Sequence, residues 1–130
     1  MKSILPDYLQ EYLNQLLPER DPVLARMEAE AREHFIPIVE PEVGRLLFFF
    51  TRLIKAKRVL ELGMSIGYST IWLARGVQPE QGQVLTIEIN PAVLPQAEAN
   101  LAAAGVRETV EIRQGDALAI VPQLAGEFDL

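Results

Sequence analysis

The chain has 130 residues, 49% of them hydrophobic and 23% charged, with a formal net charge of −6. This is the composition of a soluble globular domain large enough to bury a core, and its acidic balance leaves no general basic footprint for nucleic acid. Cysteine is absent, which excludes disulfides, zinc–thiolate sites and cysteine nucleophiles.

The first residues, Met1 to Asp7, lack an apolar core of signal-peptide length. From Asp7 to Leu17 apolar residues recur at helical spacing (Tyr8, Leu9, Tyr12, Leu13, Leu16, Leu17), and Pro18 ends that helix. Asp21-Pro22 reads as an N-cap followed by proline at the first helical position, opening a second helix to about His34. Ile36-Pro37-Ile38-Val39 is extended, because proline disfavours helix at the residue before it. Pro41 opens a third helix through Ile54, ending in Lys55, Lys57 and Arg58, cations suited to a helix C-terminus. It carries the most hydrophobic run, Leu46 to Phe50, which is flanked by Arg45 and Arg52 and far too short to span a bilayer. No membrane partner and a cytoplasmic address are expected.

Val59-Leu60-Glu61-Leu62 reads as a strand covered on both faces. It runs into a turn bracketed by Gly63 and Gly67, where glycine permits positive φ and the close approach of a ligand. Ser69-Thr70-Ile71-Trp72 follows as a helix whose first amides point back at the turn, the geometry of a small-molecule cradle. After a turn at 78–82, Val84 to Ile89 is a second strand. Asn90-Pro91 starts a helix to Ala104, with Gly105 as its left-handed stop. Val110 to Arg113 is a third strand, nearer a sheet edge by its alternation. Asp116 caps a short helix, and Glu127 to Leu130 looks like the opening of a fourth strand. Strands alternating with helices give an α/β fold with a parallel sheet. The expected organisation is a helical lead-in over 1–57 and a cradle-bearing part over 58–130.

A dinucleotide site would show G-x-G-x-x-G after the first strand. Here the spacing is Glu61-x-Gly63-x-x-x-Gly67. An acidic residue at the end of the second strand, Glu88, still suits a ribose whose hydroxyls need an acceptor. A ligand with a ribose and no pyrophosphate is implied, and S-adenosylmethionine meets that description.

The pieces Pro41-Glu42-Val43-Gly44, Val59-Leu60-Glu61-Leu62-Gly63, Gly67-Tyr68-Ser69, Thr86 to Asn90 and Gly115-Asp116-Ala117 together resemble the class I methyltransferases. Within these they resemble the cation-dependent O-methyltransferases of the caffeoyl-CoA and catechol type. The N-terminal part looks most like a bacterial branch that methylates 5-hydroxyuridine in tRNA. The resemblance implies a Rossmann-like class I methyltransferase fold, here its N-terminal half with three parallel strands. It also implies roles: Glu88 on the ribose hydroxyls, Glu61 and Gly63 on the methionine end, and Ser69 on its carboxylate. Met64, Ser65 and Gly67 would form the turn, Val39 would close over the ligand, and Asp116 with Ala117 would face the adenine.

Plainer readings stand beside these. Glu88 could be a solvated strand-end carboxylate, Asp116 only a helix N-cap, and Ser69 only a backbone partner in the first helical turn. Trp72, Phe48, Phe49 and Phe50 read as packing residues. His34 reads as a surface helix end, and Glu28, Glu30 and Glu33 as a solvated helix face.

Family members carry metal-binding acids and a lysine in a D-A-x-K pattern on and after the fourth strand, so a divalent cation such as magnesium is expected only of a full-length member. The chain reads as truncated before that pattern, with Asp129 part of the strand opening and not a metal ligand. No catalytic residue is assigned. Without a fourth strand, Arg58 to Leu62 would present an unpaired edge, from which a homo-oligomer is expected. The alternatives are a non-catalytic half-domain that binds S-adenosylmethionine or only self-assembles, and a nicotinamide-dependent oxidoreductase, which the glycine spacing disfavours. The acceptor stays open among a phenol, a catechol-like molecule and a tRNA base.

Overall fold

Proline and side-chain caps set most of the helix boundaries. A computed structural model describes residues 6–130; residues 1–5, where the stretch read for a signal peptide begins, lie outside the described residues. Helix α1 runs Asp7–Leu16 and stops where Leu17 turns extended ahead of Pro18. Helix α2, Pro22–His34, is capped by Asp21, whose Oδ1 accepts from the Val23 and Leu24 amides at 3.0 Å each. Helix α3, Pro41–Leu53, begins on its proline as expected. The expected helix from Asn90 is divided: Pro91–Val93 forms a 3-10 turn, and α5 proper runs Leu94–Ala103. Pro95 has no N–H to donate to the Pro91 carbonyl, so the α ladder cannot start earlier.

Strands β1 (Arg58–Leu62), β2 (Gln83–Glu88) and β3 (Val110–Gln114) form one parallel sheet in the order β1-β2-β3. Helix α4 (Tyr68–Val77) and α5 make the crossovers, and the short α6 (Ala117–Ile120) follows β3. The register pairs Val59 with Val84 and Val84 with Val110, so one apolar row faces Ile71 and Ala74 of α4 and Ala97 and Leu101 of α5. Leu24 and Met27 of α2 join this core. Burying each such side chain is worth about 1.5–3 kcal/mol. Glycines bring α3 onto α4: a Cβ at Gly44 would collide with the Trp72 indole, and one at Gly76 with Thr51. None of the helices among the described residues is long and apolar enough to cross a membrane.

Four expectations change. Phe49 and Phe50 are 54% and 44% exposed, since only one stripe of α3 can face α4; Phe48 and Trp72 do pack, ring edge to ring face at 6.3 Å. Leu62 is 58% exposed, so the end of β1 is not covered on both faces. Glu28 does not belong to a solvated face; it is 2% exposed and bonded. The β1 edge is not wholly unpaired either. The Asp129 amide donates to the Arg58 carbonyl at 2.8 Å, and the Leu60 amide to the Leu130 carbonyl at 2.9 Å. Asp129 Oδ2 also accepts from the Lys57 and Arg58 amides, and these two amides hold its carboxyl below the usual value. Arg58 completes the tie by donating to the Glu127 and Ala125 carbonyls and lying 4.5 Å over the Phe128 ring.

Candidate functional site

Beyond Leu62 the chain turns through three left-handed residues: Gly63 at φ 83°, Ser65 at 49° and Gly67 at 88°. The Gly63 amide donates to the Ile87 carbonyl at 2.7 Å, a last rung to β2. The Gly67 amide returns to the Met64 carbonyl at 2.8 Å, and the Gly67 carbonyl accepts from Ile71 to start α4. The first amides of α4 therefore open toward the turn. A Cβ built on Gly63 meets nothing within 4 Å, so the space in front of it is free.

Two carboxylates stand beneath this turn. Glu88, 7% exposed, accepts from the Met64 and Ser65 amides on Oε2 at 3.0 Å each and from the Asn90 amide on Oε1 at 2.8 Å. It is no solvated strand end: it fastens the strained Ser65 in place, and each oxygen keeps acceptor capacity for a further donor. Glu61, paired with Thr86 across the sheet, is 8% exposed. Its Oε1 accepts from Ser69 Oγ at 2.6 Å, and its Oε2 from Thr70 Oγ1 at 2.6 Å and Thr86 Oγ1 at 2.7 Å. Burial pushes the Glu61 carboxyl up; the three hydroxyls oppose that shift, and the charge of Glu88 adds to it. A cation docked here would relieve the buried Glu61 carboxylate.

A cleft of about 250 Å³ lies over the turn, lined by Pro37, Ile38, Val39, Met64, Tyr68 and Ser69 with Gly63 and Ser65. A second, of about 270 Å³, adjoins it across Val39, Gly63 and Ser69 and reaches Glu61, Leu73 and Leu130. The structure thus brings together six of the residues read from the sequence: Val39, Glu61, Gly63, Met64, Ser65 and Ser69. Gly67 and Glu88 stand behind them as supports of the turn. Asp116 and Ala117 line neither cleft. Asp116 is exposed and caps α6 through the Leu118 amide, although Gly115 beside it is tied to the Glu88 carbonyl at 2.9 Å. Among the described residues no group of three or more His, Asp or Glu side chains is placed to hold a metal ion. A larger cleft of about 640 Å³ lies on the other face of the sheet, away from the turn, between Arg58, Gln83, Glu111, Arg113 and Phe128.

The sequence reading missed the residues that grip the turn from α2. Glu28 accepts from Arg20 on both oxygens, at 3.0 Å and 2.9 Å, and from Tyr68 Oη at 2.6 Å. Arg26 donates to Asn100 Oδ1 at 2.8 Å, and Asn100 Nδ2 donates to the Ile66 carbonyl at 2.9 Å. One signal was present: Glu28 falls in phase with Leu24, Met27 and Ala31, all buried on one stripe of α2.

A family profile described as O-methyltransferase matches residues 14–130. A catechol O-methyltransferase of Niastella koreensis is 36% identical over 136 aligned positions, covering 100% of this chain and 61% of its own length. Its counterpart from Mycobacterium tuberculosis is 41% identical over 128, covering 96% of this chain and 58% of its own. Among solved structures, a cofactor-bound protein from MTB superposes at a TM-score of 0.83 with 40% identity, covering 98% of this chain and 60% of that one. The O-methyltransferase TomG from Streptomyces achromogenes, in complex with SAM, superposes at 0.82 with 38% identity, covering 94% and 57%. The chain spans about three fifths of the length of these relatives.

Proposed function

The chain belongs to the O-methyltransferase family, and from that membership we propose that its glycine turn holds S-adenosylmethionine for methyl transfer to a substrate hydroxyl. The observation that carries this reading is the open space at Gly63, walled by Val39 on one side and Ser69 on the other. The residues fit the group. The α4 amides and Ser69 suit a carboxylate, Glu61 suits an ammonium, and Glu88 suits a pair of ribose hydroxyls. When bound, S-adenosylmethionine supplies an electrophilic sulfonium methyl that an acceptor oxygen attacks in line. What the chain's own residues do is bind and orient: Glu88 fixes the turn, Glu61 offers charge, and the 36–40 segment excludes water from above.

The acceptor is a catechol, as the names of the Niastella and Mycobacterium relatives have it, or a similar small phenol; the net charge of −6 favours it over a tRNA hydroxyuridine. The described residues offer no donor set for a divalent cation. At the β1 edge the Leu60 amide pairs with the Leu130 carbonyl, and Leu62 is exposed.

Calorimetric titration of S-adenosylmethionine tests the reading, with Gly63→Ala as the variant. Wild type is expected to bind saturably and Gly63→Ala about tenfold more weakly, since alanine at φ 83° is strained and its methyl enters the cleft. A chain folded by circular dichroism that takes up no S-adenosylmethionine overturns the reading; uptake of NADH instead would favour an oxidoreductase.

A further inference from the structure

Resting on the cofactor reading above, we propose that Glu28 and Tyr68 are positioning residues for the cofactor, locking the strap 36–40 over the glycine turn through their buried hydrogen bond. Tyr68 is 1% exposed and opens α4 directly after Gly67, and it lines the cleft over the turn together with Ile38 and Val39 of the strap. Glu28 lines a second hollow under the same strap, beside Ile36 and Val39.

The strap packs Ile36, Ile38 and Val39 against the core but has few backbone ties. It leaves α2 through Phe35, left-handed at φ 55°, and the Ile36 amide turns back to the Ala31 carbonyl at 3.0 Å. Among the described residues, no amide from Ile38 to Glu40 finds a backbone partner. Its height above Gly63 is therefore set by what it rests on. A leucine or methionine at position 28 would fill the same space without taking an ion pair out of water. What Glu28 adds is direction: Arg20 holds the carboxylate from one side, and Tyr68 must point its hydroxyl at the other. Tyr68 cannot swing toward the cleft without leaving a buried carboxylate short of a donor. The strap wall contributed by Val39 thus keeps one position whether or not a ligand presses against it.

Tyr68→Phe removes only the hydroxyl. Two quantities are read in wild type and variant well below their unfolding midpoints: affinity for S-adenosylhomocysteine by calorimetry, and amide exchange at Ile36, whose amide is bonded to the Ala31 carbonyl. The variant is expected to bind about tenfold more weakly, with exchange at Ile36 about tenfold faster. Thr51→Val serves as a control for stability alone: it deletes another buried hydroxyl, bonded to the Leu47 carbonyl at 2.7 Å and remote from the strap, and should leave both readouts unchanged. A Tyr68→Phe chain that binds and exchanges like wild type overturns the proposal by itself. A wild-type chain that binds no S-adenosylhomocysteine overturns the cofactor reading and this proposal with it.

Discussion

The Glu61 carboxylate has three hydroxyl donors and almost no water, and burial, with Glu88 adding to it, raises its pKa above the usual 4.5. An acid whose pKa is raised by folding binds a proton in the native state over a range where the unfolded chain has already lost it. Stability therefore falls as pH rises from about 4.5 to the folded value, by at most about 1.4 kcal/mol per pH unit. Urea unfolding across that range should show this slope in wild type, and Glu61→Gln should flatten it. If both curves run parallel, Glu61 is not the group responsible. Tyr68 shifts in the same direction for related reasons: burial first, then its bond to Glu28, keep the phenol protonated and donating. Little of this was readable beforehand. The Glu61-x-Gly63 spacing marks a cradle, but nothing in a one-dimensional string says that Thr86 will stand across the sheet from Glu61.

At the level of elements, α2 carries more of the site than a lead-in helix would. Asp21 caps it and also pairs with Arg75 of α4. Burial pushes the Asp21 carboxyl up, but the Leu24 amide, the Arg75 guanidinium and the Val23 amide together hold it below 3.8. A depressed acid stabilises at pH above its unfolded value and loses that contribution as pH falls through the folded one. Asp21→Ala should cost about 1–2 kcal/mol at neutral pH, and the gap from wild type should close on acidification below about pH 4; a gap that persists there would place the loss in packing. The boundaries of α2 and α3 were legible because Asp21-Pro22 and Pro41 act locally, through φ and a missing N–H. The ion pair Arg20–Glu28 and its link to Tyr68 were not, because the partner lies 40 residues away. The exposed side of α3 was misread for a related reason: Leu46 to Phe50 is apolar all round, and the sequence carries no mark of which stripe Gly44 and Gly76 select.

For the whole molecule, β1 is unevenly covered among the described residues. Its N-terminal half is held by Asp129, Leu130 and the Arg58 contacts, while Leu62 stays exposed at the other end. The parallel sheet and the edge-like third strand were foreseeable from alternation, whereas the partial closure of the β1 edge depended on how 125–130 folds back on Arg58. The seam between α3 and α4 has an optical side. Trp72 is the only tryptophan in the chain, set against Gly44 with its ring 6.5 Å from Tyr68 and 5.4 Å from the Arg45 guanidinium. Its emission comes from a single address one helical turn behind the glycine turn, so the protein carries its own unlabelled fluorophore for watching that seam open, close or fill.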